Sequence, residues 1–510
     1  LGQTLTGYRV WDAMRAVDYL LTRPEVDGSR IGCTGHSGGG TLTMFTSAVD
    51  ERIACAVVHE GGTRGRWPIQ LSPQGPLGPS DVEQNLFPGA ARGIDHPDLH
   101  IAVAPRPLMA TIEHYSASFS SSADKIRARY KLLGLEDRFR TVEAGDPHAF
   151  TYRLRRATTD WFSRWLMQKP GPASEPELTP EKPEDLRCMK NGSLRASRKG
   201  ETVWTDLWAK ARVLPPAKPV DAATVRQVLR MRELRSPLEP RAVETVEREA
   251  YTIEKLQFLS EPGIYIPTWV FQPRERLAGA PAIVYVNESG KDSDGMEFEN
   301  AEAAGVNPGV LATLTRRGYQ VIASDVRGIG ETRTPHRAAS GGNPFSHLFD
   351  SETAMAYMTW FMESSLLGMR VQDVLRTVEY ALSRADARAQ VWLVGKDMGA
   401  VWALFAAALD ARIASVVCQG GLLSYRTLVD GNDRYLHGAN VMTPGVLQHF
   451  DLPQVAGLVQ GRLTLVDPVD AMKRRVPVEQ ARSVYGGKVR VDTRGGGSDL
   501  ASLYSRWLAT

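Results

Sequence analysis

The sequence is poor in the features that mark disulfide scaffolds, zinc proteins and membrane proteins. Its 510 residues include only four cysteines, which lie far apart and lack metal-ligand spacing. Cys33 and Cys55 fall in apolar segments that are predicted to be core strands, so buried free thiols are expected. The longest apolar stretch, residues 401–417, is interrupted by Asp410 and Arg412. No membrane-spanning segment is therefore predicted.

The sequence also has little excess of charge of either sign. The net charge is +3, and no basic stripe with interleaved aromatic residues is present. Nucleic acid and membranes are therefore not expected as partners. The hydrophobic fraction of 43% and the charged fraction of 23% are typical of a folded globular chain, and the length favours two domains. Nothing in the sequence implies a metal ion or an organic cofactor.

An internal repeat organises the chain. The segment that starts at Gly7 recurs at Gly368, and Gly35-His36-Ser37-Gly38-Gly39 aligns with Gly395-Lys396-Asp397-Met398-Gly399. Further along, residues 50–54 match residues 410–414, a Gly61-Gly62 pair aligns with Gly420-Gly421, and both copies end in Ser-Arg-Trp-Leu. Chance does not produce matches in this order, so the chain is predicted to be a tandem.

Both copies alternate amphipathic helices with short apolar strands. This pattern predicts an α/β fold with two domains, each a mostly parallel sheet flanked by helices. The second copy has more than a hundred residues ahead of Gly368, whereas the first starts six residues before Gly7. We therefore expect the first copy to lack its N-terminal strands. The predicted domains are residues 1–168, which are catalytic, a connector of residues 169–250 with a hairpin at Asn191-Gly192 and a helix, and residues 251–510.

Ser37 is the predicted nucleophile. Gly35-His36-Ser37-Gly38-Gly39 fits the G-x-S-x-G pattern between a predicted strand and a predicted helix, where a sharp turn exposes the serine hydroxyl. The N–H of Gly38 would face the oxyanion that forms on attack. The alternative is a tight glycine-rich turn with an incidental serine.

A serine hydroxyl needs a base and an orienting acid, in the chain order Ser, acid, His. His148 lies in the loop after the predicted last strand, residues 139–143, and is the expected base; a surface histidine is the alternative. The acid should follow the strand at residues 107–112. Its usual position falls near Ser116, and Glu113 is the carboxylate close by. Glu113 is either the acid or a surface charge at a strand end.

The second copy is expected to be inactive. Asp397 takes the place of Ser37, and the late loop at residues 491–498 contains no histidine. Asp470 is a candidate remnant of the triad acid. Without a base to activate water, an ester formed at Asp397 could not be hydrolysed. This degenerate site predicts a copy that packs against the first or helps to form its substrate cleft.

These residues resemble the bacterial acetyl-xylan-esterase-like and prolyl-oligopeptidase-like tandem α/β-hydrolases. The resemblance rests on residues 23–27 and 30–40, on Ala104-Pro105-Arg106-Pro107-Leu108, on the loop of residues 146–150 and on residues 161–165. It implies ester hydrolysis, deacetylation of a carbohydrate, with Ser37 and His148 as catalytic residues. Related sequences often read Asp-Phe-Phe where this chain reads His-Tyr-Ser after Glu113.

Two other functions stay open at this point. One is a serine peptidase of the oligopeptidase kind, although no propeller-like repeat is present; the other is a non-catalytic carbohydrate-binding protein. A carbohydrate or small-molecule ester is the expected partner. Carbohydrate esterases are often exported, which favours the periplasm or the exterior. Since one oxyanion donor normally comes from a strand that this sequence lacks, we expect residues 1–510 alone to be poorly active or poorly folded.

Overall fold

A computed structural model gives the fold. It describes residues 1–61, 71–72, 75–76, 84–113, 117–172, 174–177, 179–189, 191–198, 200–214, 220–233, 236–295, 309–333, 351–384, 389–430, 435–487, 489–495 and 499–509. A first domain with a parallel sheet and a second domain with a mixed sheet are joined by a helical connector. The predicted α/β class is confirmed.

The first domain alternates strands and helices. Its helices are α1 (Leu5–Leu21), α2 (Gly38–Val49), α3 (His96–Ile101), α4 (Ala117–Leu132) and α5 (Tyr152–Leu166). Its strands are β1 (Ile31–His36), β2 (Ile53–His59), β3 (Leu71–Ser72), β4 (Gly75–Pro76), β5 (Leu108–Ile112) and β6 (Phe139–Glu143). The main sheet has the order β1-β2-β5-β6 and is parallel throughout, while β3 and β4 form a separate two-stranded pair. Strand β1 is therefore an edge strand of this sheet.

Helices cover both faces of the first sheet, which explains why β2 is apolar from Ile53 to Val58. Side chains alternate between the faces of a strand. Ala56 and Val58 pack with Met44 of α2 on one face, while Val57 packs with Trp161 of α5 on the other. Each such fully buried side chain of valine size or larger contributes about 1.5–3 kcal/mol relative to exposure. The two helices thus fix the strands whose ends carry the candidate site.

The connector is helical, so the predicted hairpin at Asn191-Gly192 is wrong. Residues 191–193 form a turn, with Gly192 at φ 68°, and helices follow instead of strands. These helices are α6 (Leu194–Arg198), α7 (Val203–Arg212) and α8 (Ala222–Val228). The side chain of Ser193 accepts a hydrogen bond of 3.2 Å from Ala196 N and caps α6 directly after the turn, a local signal that outweighs the turn pattern. The predicted helix near residue 222 is present.

The second domain is larger. Its strands are β7 (Arg241–Glu247), β8 (Tyr251–Glu261), β9 (Ile264–Pro273), β10 (Ala282–Asn287), β11 (Val321–Ser324), β12 (Val391–Lys396), β13 (Ile413–Gln419), β14 (Arg462–Val466) and β15 (Arg490–Asp492). Its helices are α9 (Asp292–Gly295), α10 (Val310–Arg316), α11 (Ser351–Phe361), α12 (Leu366–Ser383), α13 (Met398–Leu409), α14 (Leu452–Ala456), α15 (Val478–Tyr485) and α16 (Leu500–Ala509). The sheet order is β15-β14-β13-β12-β10-β11-β9-β8-β7. Because β7 pairs with β8, this sheet begins inside the range predicted for the connector.

The backbone hydrogen bonds align the two copies and correct one detail of the predicted repeat. Ser37 N donates to His59 O, and Asp397 N donates to Gln419 O, so His59 corresponds to Gln419. The next residues, Glu60 and Gly420, both have positive φ, at 49° and 68°. The predicted pairing of Gly61 with Gly420 is therefore wrong by one residue, and Gly62 lies outside the described residues. A glutamate in the first copy occupies a backbone position that the second copy gives to glycine.

Aromatic and ionic contacts join the two domains. Phe87 of the first domain lies 6.0 Å from the ring of Trp360 and 6.4 Å from that of Phe361, both on α11. Beside them, Arg92 forms an ion pair with Glu363 at 2.9 Å. Among the described helices, none has both the length and the hydropathy needed to cross a membrane.

Candidate active site

Ser37 occupies a sharp turn between β1 and α2. Its φ of 57° and ψ of −120° are rare for a residue with a side chain. Close backbone contacts hold this conformation: a Cβ on Gly35 would lie 2.3 Å from Gly39 O, and one on Gly61 would lie 1.9 Å from Ser37 O. Glycines at these two positions are therefore required for the strand and helix to meet. The predicted strand, turn and helix are present, with Ser37 at the carboxyl end of the sheet.

His148 lies in the loop between β6 and α5, close to this turn. Its Nδ1 is 3.6 Å from Glu113 Oε2, and its side chain is about half exposed, at 52%. The ring centroids of His148 and His36 are 4.6 Å apart, and His36 directly precedes Ser37. Among the described contacts, no hydrogen bond joins the Ser37 hydroxyl to His148. The structure thus brings the predicted base next to Glu113 and to His36, the residue that precedes the predicted nucleophile.

Glu113 follows β5 directly, and its side chain is fully buried. Its Oε1 contacts His36 Nε2, whereas its Oε2 accepts no hydrogen bond from the described residues. Burial by itself would raise the pKa of the Glu113 carboxyl, but hydrogen bonds with the Glu60 and His36 side chains outweigh this effect, and the pKa is lowered. Glu113 is therefore ionised at neutral pH and faces His148. Ser116, the usual position of the acid, lies outside the described residues.

His36 and Glu60 reach this cluster, and the sequence analysis did not assign them to it. The ring of His36 contacts Glu113 Oε1 and lies 4.6 Å from the ring of His148. Glu60 follows β2, the strand next to β1 in the sheet. Its position directly after a buried parallel strand was the available signal, because the carboxyl ends of neighbouring strands share one edge of the sheet.

His59 is a buried residue at the end of β2 that holds neighbouring elements of the site in place. It is fully buried, and its ring nitrogens lie 2.7 Å from Thr111 Oγ1 and 2.8 Å from Thr158 Oγ1. Thr158 Oγ1 donates to Leu154 O, so it accepts from His59 Nε2, and the Thr111 hydroxyl then donates to Nδ1. Burial, followed by the charge of His36, lowers the pKa of His59 to about 4. His59 is therefore neutral at pH 7 and structural.

Gln84 places an amide near Gly38. Its Oε1 accepts a hydrogen bond of 2.9 Å from Thr41 Oγ1, and its backbone oxygen accepts one of 3.0 Å from His96 Nε2. Its Nε2 lies 3.9 Å from the point that a Cβ on Gly38 would occupy, and Arg9 Nη2 lies equally close. Held at both ends, the Gln84 side chain supplies an N–H donor beside the N-terminus of α2.

The second copy reproduces the turn but not its surroundings. Asp397 has φ 55° and ψ −119°, within a few degrees of Ser37. The backbone N–H of Met398, the counterpart of Gly38, donates to Glu288 Oε2 at 3.2 Å. Lys396 forms its ion pair with Asp294 at 2.9 Å, and burial raises the pKa of Asp397. A carboxylate thus occupies the place that an oxyanion would need.

Asp470, the candidate remnant acid, belongs to a turn. Its carboxylate accepts hydrogen bonds from Met472 N at 2.8 Å and from Arg474 Nε at 2.9 Å. These bonds help to hold the pKa of Asp470 below its ordinary value, although its partial burial opposes them. The described contacts of Asp470 are those of a turn and do not include Asp397.

Comparisons with known proteins agree with the fold of both copies. Residues 14–79, which include Ser37, match the family described as BAAT / Acyl-CoA thioester hydrolase C terminal, and residues 300–465 match the family described as alpha/beta hydrolase fold. YtaP of Bacillus subtilis (strain 168), described as a candidate hydrolase, is 25% identical over 272 residues, which are 51% of this chain and 84% of YtaP.

Solved structures give a similar result at lower identity. A candidate acetyl xylan esterase from Bacteroides fragilis NCTC 9343 has a TM-score of 0.46 and 16% identity, covering 60% of this chain and 86% of its own. A glucuronoyl esterase from Solibacter usitatus has a TM-score of 0.39 and 14% identity, covering 60% of this chain and 91% of its own. From the topology of its sheets and the two family matches, this chain has the α/β-hydrolase fold.

Proposed function

We propose that this protein is a serine esterase in which Ser37 is the nucleophile, His148 the general base and Glu113 the acid that orients His148. The observation that carries the proposal is the buried, ionised Glu113 facing His148 beside the Ser37 turn. This is the arrangement that a serine hydrolase needs, because the carboxylate stabilises the imidazolium that forms when serine loses its proton.

The proposed reaction has two halves. As Ser37 Oγ attacks the carbonyl carbon of the ester, His148 accepts the hydroxyl proton, and a tetrahedral oxyanion forms. The intermediate collapses, the alcohol leaves with the proton from His148, and an acyl group remains on Ser37. Water then attacks the acyl group with His148 again as base, which releases the acid and restores the Ser37 hydroxyl.

The N–H of Gly38 is the proposed first donor to the oxyanion, at the N-terminus of α2. The Gln84 amide supports a second donor, since its Nε2 lies near Gly38 and its oxygen is fixed by Thr41. The open Ser37–His148 pair is compatible with this mechanism, because catalytic hydrogen bonds are often long in free enzymes and shorten when substrate binds.

The proposed substrate is an acetylated carbohydrate. Support comes from the sequence resemblance to acetyl-xylan-esterase-like proteins over residues 23–40 and residues 104–108. Aromatic side chains of α11 in the second domain contact Phe87, which lies three positions after Gln84, and this contact supports the proposal that the second domain helps to form the substrate cleft. A location outside the cytoplasm is part of the same proposal.

A fluorophosphonate probe tests the nucleophile. We expect one adduct per chain, mapped by mass spectrometry to the peptide that contains Ser37. The adduct should be absent in Ser37→Ala and kept in Ser29→Ala, which changes an exposed serine near the same sheet. A folded protein that is not labelled at Ser37 would contradict the proposal and favour a carbohydrate-binding role.

Substrate assays then separate esterase from peptidase. We expect turnover of an aryl acetate and release of acetate from acetylated xylan, with no cleavage of an aminoacyl anilide. Faster cleavage of the anilide would assign the same triad to a peptidase. Labelling at Ser37 without acetate release would retain the nucleophile and exclude the carbohydrate ester.

A further inference from the structure

The candidate triad has an extra histidine, and this gives the site a second chemical capacity. His36, Glu113 and His148 each offer one ligand atom, and these atoms all lie within 4.8 Å of one another. The three residues come from three separate segments: the end of β1, the end of β5 and the loop before α5. A serine hydrolase needs only the carboxylate and one imidazole, so the mechanism leaves His36 unused.

The distances suit a small metal ion. In a tetrahedral zinc site, ligand atoms lie about 3.3 Å apart, as Zn–N and Zn–O bonds of about 2.0 Å require. The His148 Nδ1 to Glu113 Oε2 distance is 3.6 Å, and His36 Nε2 already contacts the other oxygen of the same carboxylate. A small outward shift of the His36 ring would complete a facial set of three ligands.

Charge and access also favour a cation. Glu113 is an acidic side chain that is fully buried, and its Oε2 accepts no hydrogen bond from the described residues. His148, with half of its side chain exposed, gives an ion a path from solvent. Two imidazoles and one carboxylate select zinc-like ions over magnesium or calcium, which prefer oxygen ligands.

We propose that His36, Glu113 and His148 form an inhibitory binding site for zinc-like divalent cations. The metal takes the place of the proton between His148 and Glu113. With the metal on Nδ1, neutral imidazole carries its proton on Nε2, the nitrogen that must accept the serine proton. The bound ion therefore removes the general base. Inhibition rests on the proposed role of His148, whereas binding of the ion does not.

Calorimetric titration of the whole chain with zinc chloride tests binding without any catalytic assay. The titration uses a Cys188→Ser background, because Cys188 is an exposed free thiol that could bind zinc by itself. We expect one saturable site per chain, weakened at least about tenfold by His36→Asn and by His148→Asn. It should be unchanged in His449→Asn, which alters an exposed histidine of the second domain. Magnesium chloride should give no saturable binding.

A second measurement links binding to inhibition. Zinc should slow fluorophosphonate labelling of Ser37, and chelation should restore it. If the wild-type chain binds no zinc, or if both histidine variants bind it as tightly as wild type, the site does not exist. If zinc binds through these residues but Ser37 is never labelled, the metal site stands and the proposed esterase fails.

Discussion

The two copies share a backbone turn and differ in almost everything around it. In the first copy, β1 is an edge strand in which only Ile31 is buried; in the second, β12 lies between β10 and β13 with five of its six residues buried. A Cβ on Gly399 would lie 2.5 Å from Val286 O of β10, whereas one on Gly39 would meet nothing within 4 Å. Strand β10 thus fills a space in the second copy that is open beside Gly39.

This comparison shows that the backbone geometry of the turn and the chemistry of the site around it have different origins. The turn at Ser37 and the turn at Asp397 have nearly the same φ and ψ, although only the second has a neighbouring strand packed against it. Nearby glycines and one backbone hydrogen bond, from the N–H of residue 37 or 397 to the next strand, hold this conformation in both copies. What makes one copy a candidate enzyme is the set of side chains that distant loops bring to the turn. The following predictions test that separation.

The largest expected difference is between the two turn residues. Ser37→Ala should lower ester hydrolysis by about 10⁴-fold or more, since the nucleophile is lost. Asp397→Ala should leave the rate unchanged. Steady-state kinetics with an aryl acetate on both variants measures this. A loss of activity in Asp397→Ala would show that the second copy takes part in the chemistry.

The second largest effect is expected between substitutions of the two candidate acids, Glu113 and Asp470. Glu113→Gln should lower kcat by about 10²- to 10⁴-fold, because an amide cannot stabilise the imidazolium of His148. Asp470→Asn should have no such effect, since its carboxylate serves a turn. The readout is kcat as a function of pH. An unchanged kcat in Glu113→Gln would move the role of the acid to another carboxylate, of which Glu60 is the first to test.

Gln84 and Glu288 give a comparison at the oxyanion position. Gln84→Ala should lower kcat by about 100-fold with little change in KM, as expected when one oxyanion donor is removed. Gln84→Glu introduces the kind of charge that Glu288 carries beside Met398 N and should lower kcat further. Single-turnover acylation rates of both variants check this order. Equal acylation rates in wild type and Gln84→Ala would show that the Gln84 amide does not donate to the oxyanion.

His59 and its counterpart Gln419 should give the two domains different responses to acid. The folded-state pKa of His59 is about 4, below the 6.5 of a free imidazole, so unfolding takes up a proton between these values. Stability should be complete above pH 6.5, fall by up to about 3 kcal/mol as the pH drops to 4, and change no further from this source below pH 4. His59→Gln should flatten this slope. Urea unfolding followed by tryptophan fluorescence at pH 7.5 and 4.5 measures it, and an unchanged slope in the variant would contradict the expectation.

The smallest effect should separate Gly39 from Gly399. Gly399→Ala forces a methyl group against Val286 O and should destabilise the chain by about 1–3 kcal/mol. Gly39→Ala should cost less than about 0.5 kcal/mol in this chain, because the space beside it is open and Ala favours the helix. Thermal unfolding of the pair tests this. A large loss in Gly39→Ala would mean that something covers β1 in solution.

Local pattern predicted much of the fold. The strand at residues 139–143 lies where it was predicted, the strand predicted at residues 107–112 begins one residue later, and the repeat correctly implied two domains of the same fold. The predicted hairpin at Asn191-Gly192 was wrong because a helix capped by Ser193 follows the turn. The predicted repeat paired Gly61 with Gly420, one residue away from the structural match. The true counterparts, Glu60 and Gly420, share a positive φ and not a residue type, so residue identity alone gave the wrong pairing.

The sequence by itself determined that a sharp turn occurs at Ser37, since G-x-S-x-G between a strand and a helix is typical of such a turn and the close approach of Gly35 to Gly39 is local. Only the tertiary structure decided which side chains surround it. His36 lies 77 positions from Glu113, and Gln84 lies 43 positions from Thr41, so these contacts depend on how the strands and loops pack. A pattern of neighbouring residues specifies a local conformation, but the meeting of distant side chains follows from sheet order and burial, which belong to the whole fold.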